Sequence, residues 1–258
     1  MDLNSDSYLP EKDAPTGKKI AIIGGGPAGL TAAYRLAISG HEVTVYDMME
    51  KMGGMLRYGI PQYRLPKEVL DKEIAIIEKL GVKMINGVKL GKDFTVASLK
   101  AQNDAVIVAV GAWKSSSMRT PGEELNGIYG GIDFLRAVAL KQEINIGDKV
   151  VICGGGNTAM DACRTAVRLG AKEVYCVYRR TRNEMPAEDI EITEAEEEGV
   201  QFKFLTNPIS FNGKDGKVKS VTLQLMELGE PDASGRRRPV AIEGKTEELD
   251  VDSVIIAI

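Results

Sequence analysis

The stretch Lys19-Ile-Ala-Ile-Ile-Gly-Gly-Gly-Pro-Ala-Gly29 decides the fold of this chain. An apolar run of strand length leads into a glycine-rich turn, and a helix-like run follows. Gly24 suits a tight turn off the strand, Gly26 the close approach of a pyrophosphate, and Gly29 the packing of the helix on the sheet. Pro27 and Ala28 open a helix whose free N–H groups and positive dipole end favour phosphate. The stretch therefore predicts a β-α-β unit that binds a dinucleotide.

The end of the next strand indicates which dinucleotide this first loop binds. The run from His41 to Tyr46 reads as a strand, and Asp47 follows it directly. An acidic residue at this place in the motif accepts a hydrogen bond from a ribose hydroxyl. The loop is therefore expected to bind an adenosine ribose with a free 2′-OH, as in FAD or NAD.

A second glycine-rich loop repeats the pattern with one informative change. The strand-like run 149–153 leads into Gly154-Gly155-Gly156-Asn157-Thr158-Ala159, and a helix-like run follows. The next strand, 173–178, ends in Arg179-Arg180-Thr181-Arg182 where the first unit has an acid. Guanidinium groups bind a 2′-phosphate in bidentate fashion, and each charge-assisted bond contributes about 1.5–3 kcal/mol. The second loop is therefore predicted to prefer NADP over NAD.

Composition places the chain among α/β proteins with room for two domains. It has 258 residues, of which 43% are hydrophobic and 27% charged, and it contains 28 glycines. A net charge of −4 gives no case for nucleic acid or an anionic membrane as a partner. The run 105–110 is far too short to span a bilayer. The polar, acidic start shows no signal peptide, so a cytoplasmic location is expected.

The cysteines and the single histidine limit the possible chemistry. Cys153, Cys163 and Cys176 fall inside predicted strands and a helix, and the sequence contains no C-x-x-C pair. This argues against a redox-active disulfide, an iron–sulfur cluster in this chain and a zinc site. The cysteines are expected to be small core residues. His41 cannot by itself supply a metal site or a catalytic triad, so neither a metal ligand nor a catalytic side chain is predicted.

Patterning along the chain predicts the remaining organisation. The following segments are expected: a flexible lead-in (1–17), a first nucleotide domain (18–117), an irregular glycine-rich loop (53–61), a helix (66–80), a crossover (114–130) and a second nucleotide domain (118–258). Within the second domain, an acidic helix is predicted from Met185 to about Glu198, with the run 196–198 as a solvated face. Alternating residues across 200–251 predict an antiparallel meander.

Several motifs together resemble a known family. They are the two glycine loops, Gly53-Gly-Met-Leu-Arg-Tyr-Gly-Ile-Pro61, Arg64-Leu-Pro-Lys67, Gly155-Gly-Asn-Thr-Ala-Met-Asp161, Val177-Tyr-Arg-Arg-Thr-Arg182 and Glu184-Met-Pro-Ala187. The combination resembles the small (β) subunit of NADPH-dependent glutamate synthase and the related FAD/NADPH module of dihydropyrimidine dehydrogenase. The resemblance covers roughly residues 16–258.

The resemblance implies an α/β protein with two three-layer, Rossmann-like domains, the NADPH domain being inserted in the FAD domain. It also implies the residues that contact each cofactor. For FAD these are Gly24, Gly25, Gly26, Pro27, Ala28, Gly29, Asp47, Gly53, Gly54, Met55, Arg64 and Val88. For NADPH they are Gly155, Asn157, Thr158, Arg179, Arg180, Arg182, Ala257 and Ile258.

The function implied by the resemblance is hydride transfer from NADPH to FAD, with electrons passing onward to an iron–sulfur domain or subunit, such as the glutamate synthase large subunit. Members of the family usually carry a cysteine-rich domain before the first loop and a segment that returns to the FAD domain at the end. Neither is found here, so the C-terminal part of the FAD domain is expected to be missing. Three alternatives stay open: a truncated docking subunit without turnover, a flavin monooxygenase and a flavin disulfide reductase. The missing C-x-x-C argues against the last of these.

Overall fold

The computed structural model describes residues 9–231, 233 and 235–258 of the chain. The chain divides into two compact units between Ala112 and Trp113, whereas the sequence predicted a boundary between residues 117 and 118. Each unit has its own sheets and its own hydrophobic core.

A parallel four-stranded sheet forms the centre of the first unit. Its strands are β1 (Lys19–Ile23), β2 (Glu42–Tyr46), β3 (Lys83–Ile85) and β4 (Ala105–Val108), and its helices are α1 (Pro27–Ile38), α2 (Met55–Tyr58), α3 (Lys67–Lys79) and α4 (Val96–Lys100). The strand order is β3-β2-β1-β4, and all pairs are parallel. Because β1 connects outward to β2 on one side and has β4 on the other, the loop after β1 lies at the switch point of the sheet, where ligands bind in such folds.

Alternate residues of β1 are buried on opposite faces of this sheet. Ile20 and Ile22 pack into a core with residues of α1 and α3. Ala21 and Ile23 pack with Leu99 of α4 on the other face. Successive side chains of a strand point to opposite faces, so helices cover both sides and the first unit has three layers.

Two parts of the first unit differ from the sequence prediction. The loop 53–61 was expected to be irregular, but α2 forms within it, one turn that begins after Gly54 at φ +53°. The lead-in was expected to be flexible, but its described part is bonded to the unit. The amide of Asp13 donates to Ile38 O at 2.7 Å, and the amide of Thr16 donates to Gly40 O at 3.0 Å.

The second unit combines a parallel and an antiparallel sheet. Its elements are β5 (Ile128–Gly130), α5 (Gly131–Ala139), β6 (Lys149–Cys153), α6 (Asn157–Arg168), β7 (Glu173–Tyr178), a 3₁₀ turn (Arg182–Glu184), α7 (Asp189–Glu197), β8 (Gln201–Phe204), β9 (Thr206–Lys214), β10 (Lys217–Pro231), β11 (Arg237–Asp250) and β12 (Ser253–Ile256). The parallel sheet has the order β5-β12-β6-β7-β8, and β9, β10 and β11 form the antiparallel sheet.

Alternation along β6 again places the two faces of the sheet in different cores. Val150 and Ile152 pack with the helices, while Val151 and Cys153 pack with the antiparallel sheet around Phe211. The predicted α/β class is therefore confirmed. In a doubly wound fold, helices usually cover both faces of the central sheet. In this unit the antiparallel sheet covers one of the two faces.

Four local predictions for the second unit differ from the structure. The crossover 114–130 contains a strand, β5, which pairs with β12. The meander was expected to begin near residue 200, but β8 pairs in parallel with β7 because Phe202 and Phe204 pack against the helical core. The acidic helix starts at Asp189 rather than Met185. Its face at 196–198 is not simply solvated, since Glu198 is paired with Arg164 at 2.8 Å.

The three cysteines are free and buried, as predicted. Burial raises the pKa of Cys153 and of Cys163 above the ordinary thiol value, so both stay protonated near neutral pH. In the described part of the chain, no helix is long and apolar enough to cross a membrane. The same residues contain no group of three His, Cys, Asp or Glu side chains that could hold a metal ion.

Candidate functional site

The two glycine-rich loops have equivalent backbone connections within their own units. Each first glycine donates to the strand beside it: Gly24 N to Tyr46 O at 2.7 Å, and Gly154 N to Val177 O at 3.1 Å. Each second glycine accepts from the segment that follows that neighbouring strand. Gly25 O accepts from Gly53 N at 2.7 Å, and Gly155 O accepts from Ala187 N at 3.1 Å.

Some loop glycines are required by the protein itself. A side chain at Gly29 would overlap the Gly24 carbonyl, and one at Gly24, where φ is +109°, would overlap the Ala109 carbonyl. A Cβ at Gly155 would lie 2.6 Å from the Tyr178 ring. These glycines allow close packing of loop, helix and strand. Packing within the protein therefore explains why these positions are glycine, without a bound ligand.

Gly26 and Gly156 are different, because the protein leaves space at both positions. The nearest atom to a Cβ at Gly26 would be Gly54 Cα at 3.7 Å, and at Gly156 it would be Pro186 Cγ at 3.9 Å. Their φ angles, −80° and −95°, suit any residue. A side chain would thus fill space that lies beside a helix start. We call the open space at each of these two glycines, together with the helix start beside it, a glycine cradle. Each cradle fits a pyrophosphate, which approaches the backbone most closely at the glycine in this position of the motif.

Both helices that follow these glycines begin without a protein cap. Gly26 and Gly156 are the N-cap residues of α1 and α6; neither start has a side-chain cap, and neither first turn contains an acid. Pro27, Ala28 and Thr158 are exposed there. Uncapped N–H groups and the positive end of the helix dipole stabilise a bound phosphate.

The Asp47 carboxylate contacts the backbone of the first loop directly. It is 7% exposed. Its Oδ2 accepts from Gly25 N at 2.6 Å, and its Oδ1 accepts from Met49 N at 2.8 Å. In this structure the carboxylate therefore holds the loop in shape. A carboxylate has further lone pairs, so a ribose hydroxyl can still donate to it.

The segment after Asp47 folds over the first loop. Gly54 is buried opposite Gly26, and Met55 begins α2. Arg57, 8% exposed, holds this segment because its Nε donates to Met52 O at 2.6 Å and its guanidinium pairs with Asp71. The half-buried Arg64 lies in the turn before α3. Val88 is half-buried, and its amide donates to Asp47 O at 3.0 Å, which places it beside the end of β2.

A cavity of about 500 Å³ opens at the second loop. Residues that line it include Gly155, Gly156, Thr158, Arg179, Arg180, Arg236, Ala257 and Ile258. Three of these are arginines, and no aspartate or glutamate occurs among the described residues that line the cavity. The cavity therefore presents a helix start and a cluster of guanidinium groups, the features that bind a nucleotide with more than one phosphate.

The three arginines predicted from the sequence have different surroundings. Arg179 is exposed, and Arg180 is 5% exposed with its Nε donating to Arg237 O at 2.7 Å; both line the cavity. Arg182 is not among the described lining residues. Its guanidinium pairs with Glu196 of α7 at 2.5 Å and donates to Thr193 Oγ1 at 3.1 Å. In this structure Arg182 thus pairs with the acidic α7, and its contact with the 2′-phosphate stays a prediction.

Asn157, whose predicted contact with NADPH stays a prediction, contacts the protein across the loop. It is not among the described lining residues, and its Oδ1 accepts from Glu188 N at 3.0 Å. Together with the bond between Ala187 and Gly155, this ties the segment 185–188 across the loop. The Tyr178 hydroxyl donates to Glu184 O at 2.8 Å and holds the other end of that segment. Asn157 therefore supports the loop.

Sequence reasoning did not find Arg236, Tyr178 or Pro186 as parts of this site. Tyr178 closes the space behind Gly155, and Pro186 lies beside Gly156. A signal for Arg236 was present, since Arg236-Arg237-Arg238 is a second basic run. Without the pairing of β10 with β11, nothing in the sequence relates that run to the end of β7.

The sequence profile of the pyridine nucleotide-disulphide oxidoreductase family matches residues 18–258. The chain belongs to this family. Proteins of the family bind FAD and NAD(P)H, so the two predicted cofactors are confirmed at the level of the family. An oxidoreductase is likewise the class of protein that the match supports.

Curated relatives confirm the resemblance to the glutamate synthase small subunit. The chain is 40% identical to the glutamate synthase [NADPH] small chain of Escherichia coli (strain K12), over 94% of this chain and 54% of the relative. It is 46% identical to the NADP(+)-dependent formate dehydrogenase subunit beta of Moorella thermoacetica, over 94% of this chain and 35% of the relative. The chain thus spans between about a third and about half of the length of these relatives.

A solved structure shows the same fold. FprA of Mycobacterium tuberculosis, determined in complex with NADPH, aligns with a TM-score of 0.80 over 93% of this chain and 70% of FprA. The sequence identity is 23%, so the likeness concerns the fold of these pyridine nucleotide oxidoreductases.

Proposed function

We propose that this chain is the nucleotide-binding part of an NADPH-dependent flavoprotein oxidoreductase, similar to the glutamate synthase small subunit. FAD binds at the loop after β1, and NADPH binds at the loop after β6. Electrons then pass to an iron–sulfur domain or subunit, such as a glutamate synthase large subunit. The named relatives, which include an NADPH-Fe(3+) oxidoreductase subunit beta of Geobacter sulfurreducens, support a nicotinamide-linked electron transfer of this kind.

One observation carries the proposal. The chain contains two equivalent glycine cradles at uncapped helix starts. Asp47 follows the strand beside the first, and Arg179 and Arg180 follow the strand beside the second. A carboxylate accepts from a free ribose 2′-OH, whereas it would repel a 2′-phosphate. Guanidinium groups attract that phosphate. The two loops are therefore assigned to different dinucleotides.

The residues of the chain bind and orient the cofactors, and the cofactors supply hydride and electron chemistry when bound. Gly26 and Gly156 leave room for the pyrophosphates, and the N–H groups of α1 and α6 stabilise the phosphate charge. Gly54 and Met55 extend the first site, and Ala257 and Ile258 lie in the wall of the second cavity. No side chain is assigned a proton transfer.

The domain organisation that goes with this function is also a proposal. Residues 18–117 form the FAD-binding domain and residues 118–258 the NADPH-binding domain, each of Rossmann type, with the second inserted in the first. The parallel sheets with a glycine loop at the end of a central strand support it.

Replacing Gly26 or Gly156 with alanine tests the assignment of the loops. A methyl group at either position meets open space in the protein but would occupy the place that the motif assigns to a phosphate. We expect Gly26→Ala to lose FAD binding and keep NADPH binding, and Gly156→Ala to do the reverse. Either change at an N-cap lowers the free energy of unfolding by no more than about 1 kcal/mol. The measurements are flavin absorbance after reconstitution and NADPH binding by calorimetry.

Each variant is the matched control for the other, because both make the same change in equivalent loops. A variant that loses both cofactors to the same degree, or loses neither, would contradict the assignment of one dinucleotide to each loop. Denaturant unfolding separates loss of binding from loss of fold.

A further inference from the structure

The hairpin formed by β10 and β11 brings a third arginine to the second cavity. Arg236 directly precedes β11 and lines the cavity together with Arg179 and Arg180. The other two come from the end of β7, in a different sheet. Two separate elements thus supply guanidinium groups to the same space.

Hydrogen bonds fix the hairpin to the end of β7. The buried Arg180 donates from Nε to Arg237 O at 2.7 Å, across 57 positions of sequence. Arg180 O accepts from Leu205 N at 3.1 Å, and Leu205 O accepts from Met226 N of β10 at 2.8 Å. The position of Arg236 therefore depends on contacts of Arg180 and of β10, in addition to the pairing within the hairpin.

The neighbouring arginines in the run 236–238 have other surroundings. The Arg237 guanidinium donates to Leu228 O at 2.7 Å and to Gly229 O at 3.2 Å, both on β10. Arg238 is exposed and is not among the described lining residues. Of the three, Arg236 is the one that lines the cavity.

We propose that the β10–β11 hairpin is a specificity element for the 2′-phosphate of NADPH and that Arg236 binds this phosphate together with Arg179 and Arg180. A phosphate monoester carries close to two negative charges at neutral pH and has three acceptor oxygens, so it accommodates several guanidinium groups. The pyrophosphate is assigned to Gly156 and the start of α6, which leaves the arginine cluster at the end of β7 for the ribose phosphate. This inference rests on the proposed NADPH site.

Binding of two small nucleotides to the whole chain tests the inference without any turnover. We expect wild-type protein to bind 2′,5′-ADP more tightly than 5′-AMP. Arg236→Ala should weaken 2′,5′-ADP binding by about tenfold, equivalent to about 1.4 kcal/mol, while 5′-AMP binding changes by less than about twofold. Arg236→Lys keeps the charge but lacks the bidentate fork of arginine. Its affinity for 2′,5′-ADP should therefore lie between those of the wild type and Arg236→Ala.

Arg238→Ala is the matched control, because it removes the same charge two positions away on the same hairpin. We expect it to change binding of both nucleotides by less than about twofold. If Arg236→Ala and Arg238→Ala had equal effects, or if Arg236→Ala weakened 5′-AMP as much as 2′,5′-ADP, the role of Arg236 would be overturned while the NADPH site remained. If the wild type did not prefer 2′,5′-ADP, both the proposed function and this inference would be overturned.

Discussion

At the scale of single residues, an aspartate holds the start of the central strand in each unit. Asp104, just before β4, accepts from Lys19 N at 2.8 Å, and Asp252, just before β12, accepts from Lys149 N at 3.0 Å and Asp148 N at 2.9 Å. The Lys19 amide, and then the Lys18 side chain, lower the pKa of Asp104. The Lys149 amide contributes most to lowering the pKa of Asp252, against the opposing effect of burial.

The lowered pKa of Asp252 predicts a pH-dependent contribution to stability. A carboxylate with a depressed pKa stabilises the fold above its ordinary value of 3.8, and this contribution is lost as the pH falls through the lower folded value. We expect Asp252→Asn to lower the free energy of unfolding by about 1 kcal/mol at pH 7. The difference from wild type should shrink below pH 3.8. Urea unfolding at several pH values measures it.

Asp250→Asn serves as the control for this prediction, since Asp250 is exposed and lies two positions earlier. It should change stability by less than about 0.5 kcal/mol. A pH-independent difference between Asp252→Asn and wild type would show that the charged carboxylate is not the stabilising group.

The sequence predicted the position of the two loops because the signals for such a loop are local. A glycine turn between a strand and a helix needs few long-range contacts to be recognised, and the structure forms α1 and α6 directly after Gly26 and Gly156. The protein partners of Arg182 and Asn157, and the presence of Arg236 at the cavity, were beyond such reasoning. The partners of Arg182 and Asn157 come from α7 and the segment before it, and Arg236 depends on strand pairing far along the chain.

At the scale of elements, a buried ion-pair network joins α6 to α7. Arg164 of α6 is 6% exposed, and its guanidinium pairs with Glu191 at 3.3 Å, with Glu194 at 2.5 Å and with Glu198 at 2.8 Å. Burial acts to raise the pKa of Glu198, but the hydrogen bonds from Arg168 and Arg164 outweigh it and the net effect is a lowered pKa. The network fixes α7 and thereby the segment 185–188 that crosses the second loop.

Replacing Arg164 with methionine should therefore affect both stability and one cofactor site. Removing the cation breaks the ion pairs of Arg164 with three glutamates, one of which is the buried Glu191, and this costs about 3–5 kcal/mol. Because α7 would shift, we expect NADPH binding to weaken while FAD binding is unchanged. Urea unfolding and calorimetric titration of both cofactors give the two quantities.

Arg168→Met is the matched control on the same helix. The Arg168 side chain is 47% exposed and pairs with Glu198 at 2.7 Å, so its loss should cost no more than about 1 kcal/mol. Equal destabilisation by both variants would mean that burial of Arg164 is not what makes the network important.

Helices and strands differed in how well the sequence predicted them. Strands such as β7 were placed well because an apolar run between clear turns leaves few alternatives. β5 was missed because it is only three residues long and is stabilised by pairing with β12. α2 was missed because glycine-rich segments usually stay irregular, and here the contacts of Arg57 with Met52 and Asp71 hold a helical turn in place.

At the scale of the whole molecule, the proposed function assigns different dinucleotides to two units of the same design. Each has a parallel sheet, a glycine cradle at the end of a central strand and a segment bonded across the loop. The differences lie in Asp47 on one side and in the arginines around the second cavity on the other. This division of roles is the central claim of the proposed function.

Anaerobic titration of the FAD-reconstituted chain with NADPH, and separately with NADH, tests that claim most directly. The visible flavin absorbance reports whether electrons reach the flavin. We predict that NADPH bleaches the flavin band at concentrations at least about tenfold lower than NADH does, a ratio equivalent to about 1.4 kcal/mol. A chain that binds FAD but is not reduced by NADPH, or is reduced equally well by both nucleotides, would contradict the account.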